Sequence, residues 1–164
     1  MLTLGPIGLV VLQSTGFCNI DCSYCYLPGR AVKQTMDLGT VRELSQLIFD
    51  KTLLNRELDI VWHAGEPLTL PPSYYAEAVE ILEEARPREI IAHYGVQTNG
   101  TLIDDEWIDL FRRHKFTVGV SLDGPRDLHD RCRKFRNGLG SHDRVIAGIS
   151  KLQAAGIPFT LSAS

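Results

Sequence analysis

Gly8-Leu-Val-Val-Leu12 is a short apolar run rich in β-branched residues, and it predicts a buried strand that leads into a cysteine-rich loop. Four further runs of this kind alternate with helical patterns along the 164-residue chain. Because the connections are long enough for crossovers, this alternation predicts a parallel sheet built from right-handed βαβ units. The predicted fold class is therefore α/β, with about five strands arranged as part of a (β/α) TIM-like barrel.

The boundaries of the other elements come from strand runs and helix signals. The later strands are predicted at residues 59–62, 90–96, 116–120 and 157–161, and helices are predicted to begin at residues 40, 72, 104 and 141. Thr40-x-x-Glu43 has the pattern of a capping box, and the apolar stripe behind it runs toward Leu54. Ser141 is expected to cap the last helix, which ends at Gly156, a left-handed position. The arginine-rich stretch 129–141 is predicted to be a loop.

Charge and hydropathy exclude several classes of function. The chain has 17 basic and 20 acidic side chains, a net charge of −3, and 44% hydrophobic residues. The basic residues form no stripe for a phosphate backbone, so nucleic acid is not an expected partner. No stretch approaches the roughly 18 to 20 apolar residues of a membrane span, and the N-terminus lacks the pattern of a signal peptide. We therefore expect a cytoplasmic protein with no membrane partner.

The length of the chain limits the predicted barrel. A complete (β/α)8 barrel takes about 250 residues, and this sequence stops within or just after the fifth predicted strand. We therefore expect a barrel that is incomplete at the C-terminus. Either the polypeptide is truncated, with turnover in doubt, or another chain completes the sheet by self-association through its open edge.

Unusual residues cluster where the predicted strands end. The first strand leads to the cysteines, the second to His63-Ala-Gly-Glu-Pro67, the third to Gln97-Thr-Asn-Gly100 and the fourth to Ser121-Leu-Asp-Gly124. The carboxyl ends of parallel strands meet at one edge, where α/β proteins bind their ligands. The sequence therefore predicts one shared site at this edge.

Three cysteines, Cys18, Cys22 and Cys25, lie within eight residues, and Cys132 is far from them in sequence. A disulfide inside the trio would leave an odd thiol, so metal binding is the better hypothesis. Three thiolates around a four-iron cluster leave one iron for an external chelator, which suits catalysis better than a closed structural site does. The alternatives are buried free cysteines, or a zinc site completed by Cys132 or His63.

The pattern C-x3-C-x2-C, with an aromatic residue before the last cysteine, resembles the radical S-adenosylmethionine (SAM) enzymes. The resemblance implies that Cys18, Cys22 and Cys25 hold a [4Fe-4S] cluster and that SAM chelates the remaining iron. It also implies reductive cleavage of SAM to a 5′-deoxyadenosyl radical, with Tyr24 packed near the adenine. Such chemistry needs a pocket that keeps water and oxygen away from the radical.

The motif His63-Ala-Gly-Glu-Pro67 resembles the G-G-E-P segment that holds the SAM amino group in that family. The resemblance makes Gly65 and Glu66 cofactor-binding residues, with the glycine allowing close backbone approach and the carboxylate accepting from an ammonium group. Ala64 departs from the family pattern, which has glycine at this position. A turn leading into a helix is the structural alternative for Glu66 and Pro67.

Two further strand ends and one loop resemble segments of the maturases within this family. The polar side chains after the third and fourth strands suit hydrogen bonds to ribose, although Asn-Gly and Asp-Gly are also common turns. The resemblance assigns cofactor contact to Gln97, Asn99, Ser121 and Asp123. An H-D-x-x-R stretch places Arg133 where an arginine pairs with the SAM carboxylate, with a solvated basic loop as the alternative.

The complete set of motifs is most similar to the SPASM-type maturases of sulfatases and ribosomal peptides. That resemblance implies a peptide or protein substrate and an electron donor such as flavodoxin or ferredoxin. Residues 1–164 would form the N-terminal portion of a radical SAM core domain, without the C-terminal strands or an auxiliary-cluster domain. Two other classes stay open, namely a non-catalytic metal-binding interaction module and a degenerate regulatory fragment that binds a partner peptide.

Overall fold

The computed structural model describes residues 6–49 and 54–163, and it contains one sheet of five parallel strands in the order β1-β2-β3-β4-β5. The strands are β1 (Ile7–Leu12), β2 (Leu54–Trp62), β3 (Ile91–Thr98), β4 (Thr117–Ser121) and β5 (Phe159–Ser162). Between them lie α1 (Leu38–Ile48), a 3-10 turn (Pro67–Thr69), α2 (Pro72–Ala85), α3 (Asp105–His114), α4 (Arg126–Cys132) and α5 (His142–Ala154). None of the helices in the described ranges has the length and apolar character needed to span a membrane.

The two faces of the sheet differ in burial. Side chains alternate along each strand, and Ile60 and Trp62 of β2 belong to the core beneath the helices, where they are completely buried. The Trp62 ring stacks on that of Phe116, with the ring centroids 5.5 Å apart. On the other face of β1, Leu9 and Val11 are 56% and 54% exposed. Helices on one face and an inward-facing surface on the other are the arrangement of a barrel wall.

The register of the strands aligns their carboxyl ends. Leu12 pairs with Trp62, Trp62 pairs with Val96, and Thr98 pairs with Val120. The loops that follow β1, β2, β3 and β4 therefore emerge at one edge of the sheet, as the sequence predicts. Within the described residues, β1 and β5 are the two outer strands.

The first helix begins and ends earlier than predicted. Its N-cap is Asp37, whose carboxylate accepts a hydrogen bond from the Thr40 N–H at 3.0 Å. The prediction of a capping box that starts at Thr40 is therefore wrong, because the charged Asp37 acceptor already binds this backbone donor. The helix ends at Ile48, and Leu54 belongs to β2. The predicted continuation through residues 50–53 lies outside the described residues.

The stretch 129–141, predicted to be an arginine-rich loop, begins inside the short helix α4, which is preceded by Pro125 and has Asp127 in its first turn. Arginine is a good helix former, so its abundance did not indicate a loop here. Ser141 precedes α5 as expected, but its side chain makes no capping hydrogen bond to the helix. Gly156 follows α5 with a φ of 67°, which confirms its predicted left-handed conformation.

Candidate functional site

A cavity of about 320 Å³ lies at the edge of the sheet where β1, β2, β3 and β4 end. Ten of the eleven residues predicted to form a site line it, namely Cys18, Cys22, Tyr24, Cys25, Gly65, Glu66, Gln97, Asn99, Ser121 and Arg133. The eleventh, Asp123, contacts two of them, since it accepts hydrogen bonds from the Tyr24 hydroxyl at 2.6 Å and from Arg133 Nε at 2.9 Å. His63 also lines the cavity, and Cys132 is not among the lining residues.

The cysteine loop after β1 presents its thiols to this cavity, with Cys18 and Cys22 buried and Cys25 half-buried. Burial, reinforced by the Glu66 carboxylate, raises the pKa of the Cys18 thiol to about 11. Burial also raises the pKa of Cys22, against the opposing effect of the Arg133 charge. Among the residues that the structure describes, no group of three or more His, Cys, Asp or Glu side chains forms a ligand set for a metal ion.

Backbone hydrogen bonds tie the cysteine loop to the segment that follows α4. The Asp21 N–H donates to the Lys134 carbonyl at 2.7 Å, and the Ser23 N–H donates to the Cys132 carbonyl at 3.0 Å. Cys132 therefore supports the loop through its main chain. These contacts join two parts of the chain that are far apart in sequence.

Two arginines, which we call the arginine clamp, hold the backbone carbonyls of all three clustered cysteines. The Arg136 guanidinium donates to the Cys18 carbonyl through Nε at 3.2 Å and Nη2 at 3.0 Å. Arg30 Nη1 donates to the carbonyls of Cys22 at 3.3 Å and Cys25 at 3.1 Å. Arg136 Nη2 also donates to the Arg30 carbonyl at 2.6 Å, which joins the two arginines. The backbone of the loop is thus fixed by protein groups.

The turn after β2 makes a close backbone contact with the start of the cysteine loop. The Glu66 N–H donates to the Phe17 carbonyl at 2.7 Å. Gly65 has a φ of 63°, and a Cβ atom at this position would lie 2.5 Å from the Thr15 carbonyl oxygen. Only glycine fits there without displacing the backbone. Ala64 also has a positive φ, 75°, although it carries a side chain.

The Glu66 carboxylate is 1% exposed and is hydrogen-bonded within the protein. Its Oε1 accepts from the Leu68 N–H at 3.0 Å and from the Thr98 hydroxyl at 2.6 Å, and its Oε2 accepts from the Asn99 N–H at 2.7 Å. Burial raises the pKa of this carboxyl to about 7, while the three hydrogen bonds oppose the shift. Glu66 is also the N-cap of the 3-10 turn, which agrees with the structural alternative. Its contact with a cofactor ammonium group stays a prediction.

The Asn99 side chain connects the end of β3 to the cysteine loop. Its Nδ2 donates to Asn19 Oδ1 at 2.8 Å and lies 3.8 Å from Cys18 Sγ. Its Oδ1 accepts from the N–H of Thr101 at 3.0 Å and from the hydroxyl of the same residue at 2.7 Å. The amide is therefore engaged by neighbouring protein groups, and its predicted contact with ribose stays untested.

Gln97, Ser121 and Ser162 form a polar group on the inward-facing side of the sheet. Gln97 Nε2 donates to Ser121 Oγ at 3.1 Å and to Ser162 Oγ at 3.0 Å. A Cβ atom at Gly119 would overlap the Gln97 amide. Glycine at this strand position therefore leaves room for the amide to cross β4.

Tyr24, Asp123 and Arg133 form a packed group on the side of the cavity next to α4. The Arg133 guanidinium lies over the Tyr24 ring, 5.4 Å from its centroid, and Arg133 Nη1 is 4.0 Å from Cys22 Sγ. The side chains of Arg133 and Asp123 are only 8% and 11% exposed. Burial and the hydrogen bond to Asp123 raise the pKa of Tyr24, so its hydroxyl remains a neutral donor. A buried guanidinium beside a cavity favours an anionic group.

Residues 12–163 match the family model described as the radical SAM superfamily. The chain belongs to the radical SAM superfamily. Radical SAM enzymes use a [4Fe-4S] cluster and S-adenosylmethionine. This membership confirms the family that the cysteine spacing indicates, whereas the role of each lining residue stays a prediction.

Curated relatives and a solved structure are also similar to this chain. An uncharacterised protein of Synechocystis, sll1766, is 40% identical over 153 residues, which cover 91% of this chain and 38% of that relative. A serine-type anaerobic sulfatase-maturating enzyme of Bacteroides thetaiotaomicron is 35% identical over 164 residues, covering 96% of this chain and 39% of the relative. The solved structure of histidine-tagged anSMEcpe with bound AdoMet superposes with a TM-score of 0.85 at 24% identity, over 95% of this chain and 43% of that one. The fold is therefore that of a radical SAM enzyme, and the chain spans about two fifths of the length of these relatives.

Several residues around this cavity are not among those that the sequence predicts. Thr98 lies inside the Q-T-N-G motif, so the motif itself was the signal for it. The arginine clamp had no such signal, because Arg30 and Arg136 lie in segments that become neighbours only in the folded protein. Asn19 is the second residue of the cysteine motif, and its hydrogen bonds with Asn99 and Thr101 show its role.

Proposed function

We propose that this protein binds a [4Fe-4S] cluster through Cys18, Cys22 and Cys25, binds SAM beside it, and acts as a radical SAM oxidoreductase on a peptide or protein side chain. One observation carries this proposal: the three thiols after β1 and residues of the three other strand-end motifs surround a single cavity. The chemistry of the donors fits, since thiolates are the ligands of such clusters. The raised pKa of the Cys18 thiol fits a ligand that loses its proton when metal binds.

A bound cluster, with Cys18, Cys22 and Cys25 as its ligands, would supply the electron for reductive cleavage of SAM and so the hydrogen-abstracting radical chemistry of the family. The residues of this chain would bind and orient the cofactor. Arg133 offers a guanidinium to the SAM carboxylate. Gly65 lets the turn after β2 lie close against the backbone of the cysteine loop, so that both segments line the SAM cavity. Gln97 and Ser121 offer polar atoms from the inward face of the sheet.

The proposal extends to the partners and setting of the protein. The Bacteroides relative is named a sulfatase-maturating enzyme, which supports a polypeptide substrate for this chain. Leu9 and Val11, which are exposed on the inward face, offer apolar contacts to such a substrate. An electron donor such as flavodoxin or ferredoxin, a cytoplasmic setting and self-association through the outer strands belong to the same proposal. Residues 1–164 would be the N-terminal portion of the radical SAM core domain.

Anaerobic reconstitution with iron and sulfide tests this function directly. We expect about four iron and four sulfide per chain, and release of 5′-deoxyadenosine and methionine after reduction in the presence of SAM. The control is the Cys18→Ala, Cys22→Ala, Cys25→Ala triple variant, which should retain the fold and bind no cluster. A colourless protein that keeps one zinc per chain in air, or intact SAM after reduction of a loaded cluster, contradicts the proposal.

A further inference from the structure

His129 of α4 is completely buried, and both of its ring nitrogens are hydrogen-bonded. Nδ1 accepts from the Asp123 N–H at 3.2 Å, and Nε2 lies 2.9 Å from Ser141 Oγ. Ser141 Oγ in turn donates to the Arg133 carbonyl at 2.9 Å. The imidazole therefore connects the main chains of Asp123 and Arg133.

These partners determine the protonation state of the ring. The Asp123 N–H can only donate, so Nδ1 must carry a lone pair. The one hydroxyl proton of Ser141 is directed to the Arg133 carbonyl, so Nε2 must carry the hydrogen that Ser141 Oγ accepts. The only arrangement that satisfies all three hydrogen bonds is a neutral imidazole protonated at Nε2.

The side chains of Asp123 and Arg133 also bind each other, so the hydrogen bonds that link these residues through His129 and Ser141 form a closed circuit. Arg133 Nε donates to Asp123 Oδ2 at 2.9 Å, and the Tyr24 hydroxyl donates to the same oxygen at 2.6 Å. One imidazole thus fixes the backbone of both members of an ion pair that contacts the cavity. A displacement of either main-chain segment would change the direction in which the Arg133 guanidinium points.

We propose that His129 is a positioning residue, which in its neutral form protonated at Nε2 holds Asp123 and Arg133 in place to bind SAM. This inference rests on the proposed function, because it takes Arg133 as a cofactor-binding residue and Asp123 as its ion-pair partner. His129 does not itself line the cavity. It acts through the two residues that its hydrogen bonds connect.

The proposal predicts a particular dependence of cofactor binding on pH. Protonation would place a hydrogen on Nδ1, facing the Asp123 N–H, and would break that contact. Burial lowers the pKa of His129; the charges of Arg133 and His142 act in the same direction, while Asp123 and Asp130 oppose it. The pH profile of SAM affinity should therefore include a decrease as pH drops through the pKa of His129, separate from the titration of Glu66, whose pKa burial raises to about 7.

Histidine NMR and SAM titrations of the full chain test the proposal. Spectra of the isotope-labelled protein without cofactor should show His129 protonated at Nε2. In the reconstituted protein, His129→Gln loses the acceptor for the Asp123 N–H, and Ser141→Ala loses the link to Arg133. Each should weaken SAM binding about tenfold, the effect of one lost hydrogen bond of about 1.4 kcal/mol. His129→Asn offers an acceptor near the Nδ1 position, so it should rescue part of this loss and abolish the acid-dependent decrease.

The control is His114→Asn, at the end of α3, which should change neither the affinity nor its pH profile. A His129 protonated at Nδ1, equal affinities in all variants, or an unchanged pH profile in His129→Asn overturns the positioning role. If the His129 variants fail to fold, Ser141→Ala and the match between the NMR titration and the binding profile of the unsubstituted protein still decide the question. An unsubstituted protein that shows the expected spectrum but does not bind SAM overturns the proposed function, and the positioning role with it.

Discussion

The turn around Glu66 and the cysteine loop form two walls of one cavity, and their polar groups are satisfied in different ways. The Glu66 carboxylate accepts three hydrogen bonds from protein donors, so its position is fixed by the protein itself. In the cysteine loop, the carbonyls are held by the arginine clamp, while the sulfur atoms of Cys18 and Cys22 make long contacts of 3.8 Å and 4.0 Å. In the turn around Glu66, protein hydrogen bonds hold the side chain. In the cysteine loop, they hold the backbone and leave the thiols available to a ligand.

The largest effect is expected for loss of a cysteine thiol, which should remove bound iron without changing the fold. Serine at Cys18, Cys22 or Cys25 should lower the iron bound after reconstitution from about four atoms per chain to less than one, because each thiolate holds one iron of the cluster. The far-UV circular dichroism of the cluster-free protein should be unchanged, since the loop backbone is held by other groups. Iron and sulfide analysis of the purified variants provides the measurement.

The matched control is Cys132→Ser, because Cys132 supports the loop only through the carbonyl that binds the Ser23 N–H among the contacts described. We expect full iron content for this variant. Iron loss from Cys132→Ser equal to that of the other three would show that the assignment of ligands is wrong.

Substitution of Glu66 should instead lower the stability of the folded protein. In Glu66→Gln, an amide NH2 replaces one of the acceptor oxygens and leaves a buried donor, such as the Asn99 N–H, without a partner. We expect a loss of about 1–3 kcal/mol in the free energy of unfolding, measured with denaturant on the cluster-free protein. Glu77→Gln, at an exposed position of α2, should cost less than about 0.5 kcal/mol.

The same pair of proteins gives a prediction about pH. Burial raises the pKa of Glu66 from 4.5 to about 7 in the folded protein, so between these values the folded state binds more protons than the unfolded state. The contribution of this group to stability is therefore fully present below pH 4.5 and is lost as pH rises to about 7. The stability difference between the unsubstituted protein and Glu66→Gln should narrow over this range, and a difference that widens would contradict the direction of the shift.

A smaller effect is expected for the arginine clamp. In Arg136→Lys, a single ammonium group replaces the guanidinium that donates twice to the Cys18 carbonyl and once to the Arg30 carbonyl. Because Arg136 is exposed, we expect only about 1 kcal/mol of lost stability, together with faster loss of iron to a chelator. Arg131→Lys, an exposed arginine of the same stretch, is the control, and equal rates of iron loss in the two variants would exclude a role for the clamp.

The sequence was sufficient for the features that depend on local pattern. The apolar runs marked the five strands, and the carboxyl ends of parallel strands meet at one edge whatever the details of packing. The strand-end motifs were therefore predicted to converge, and the cavity contains residues from each of them. The same reasoning fails at Thr40, because Asp37 and Thr40 have similar capping ability, and in α4, because an arginine-rich composition does not distinguish a loop from a helix.

The remaining features depend on contacts between distant segments. The hydrogen bond from Asp21 to Lys134 and the arginine clamp join the cysteine loop to residues after α4, and no periodicity or spacing records such pairings. The hydrogen bonds of His129 are also contacts between distant segments, since its partners Asp123 and Ser141 come from different loops. The positive φ of Ala64 could not be predicted from the sequence either, because alanine rarely adopts the left-handed conformation.

Ala64 provides the smallest effect and a test of strain in the wall around Glu66. A left-handed conformation costs a residue with a Cβ about 1–2 kcal/mol, and glycine avoids this cost but loses about 0.5–1 kcal/mol through its greater freedom in the unfolded chain. Ala64→Gly, which restores the family pattern, should therefore stabilise the protein by about 0.5–1 kcal/mol in denaturant unfolding. Ala147→Gly, at an exposed position inside α5, should instead destabilise it by about 1 kcal/mol, because there the φ is helical and only the entropic loss remains. Equal destabilisation by the two substitutions would mean that the backbone at Ala64 carries no strain for a glycine to relieve.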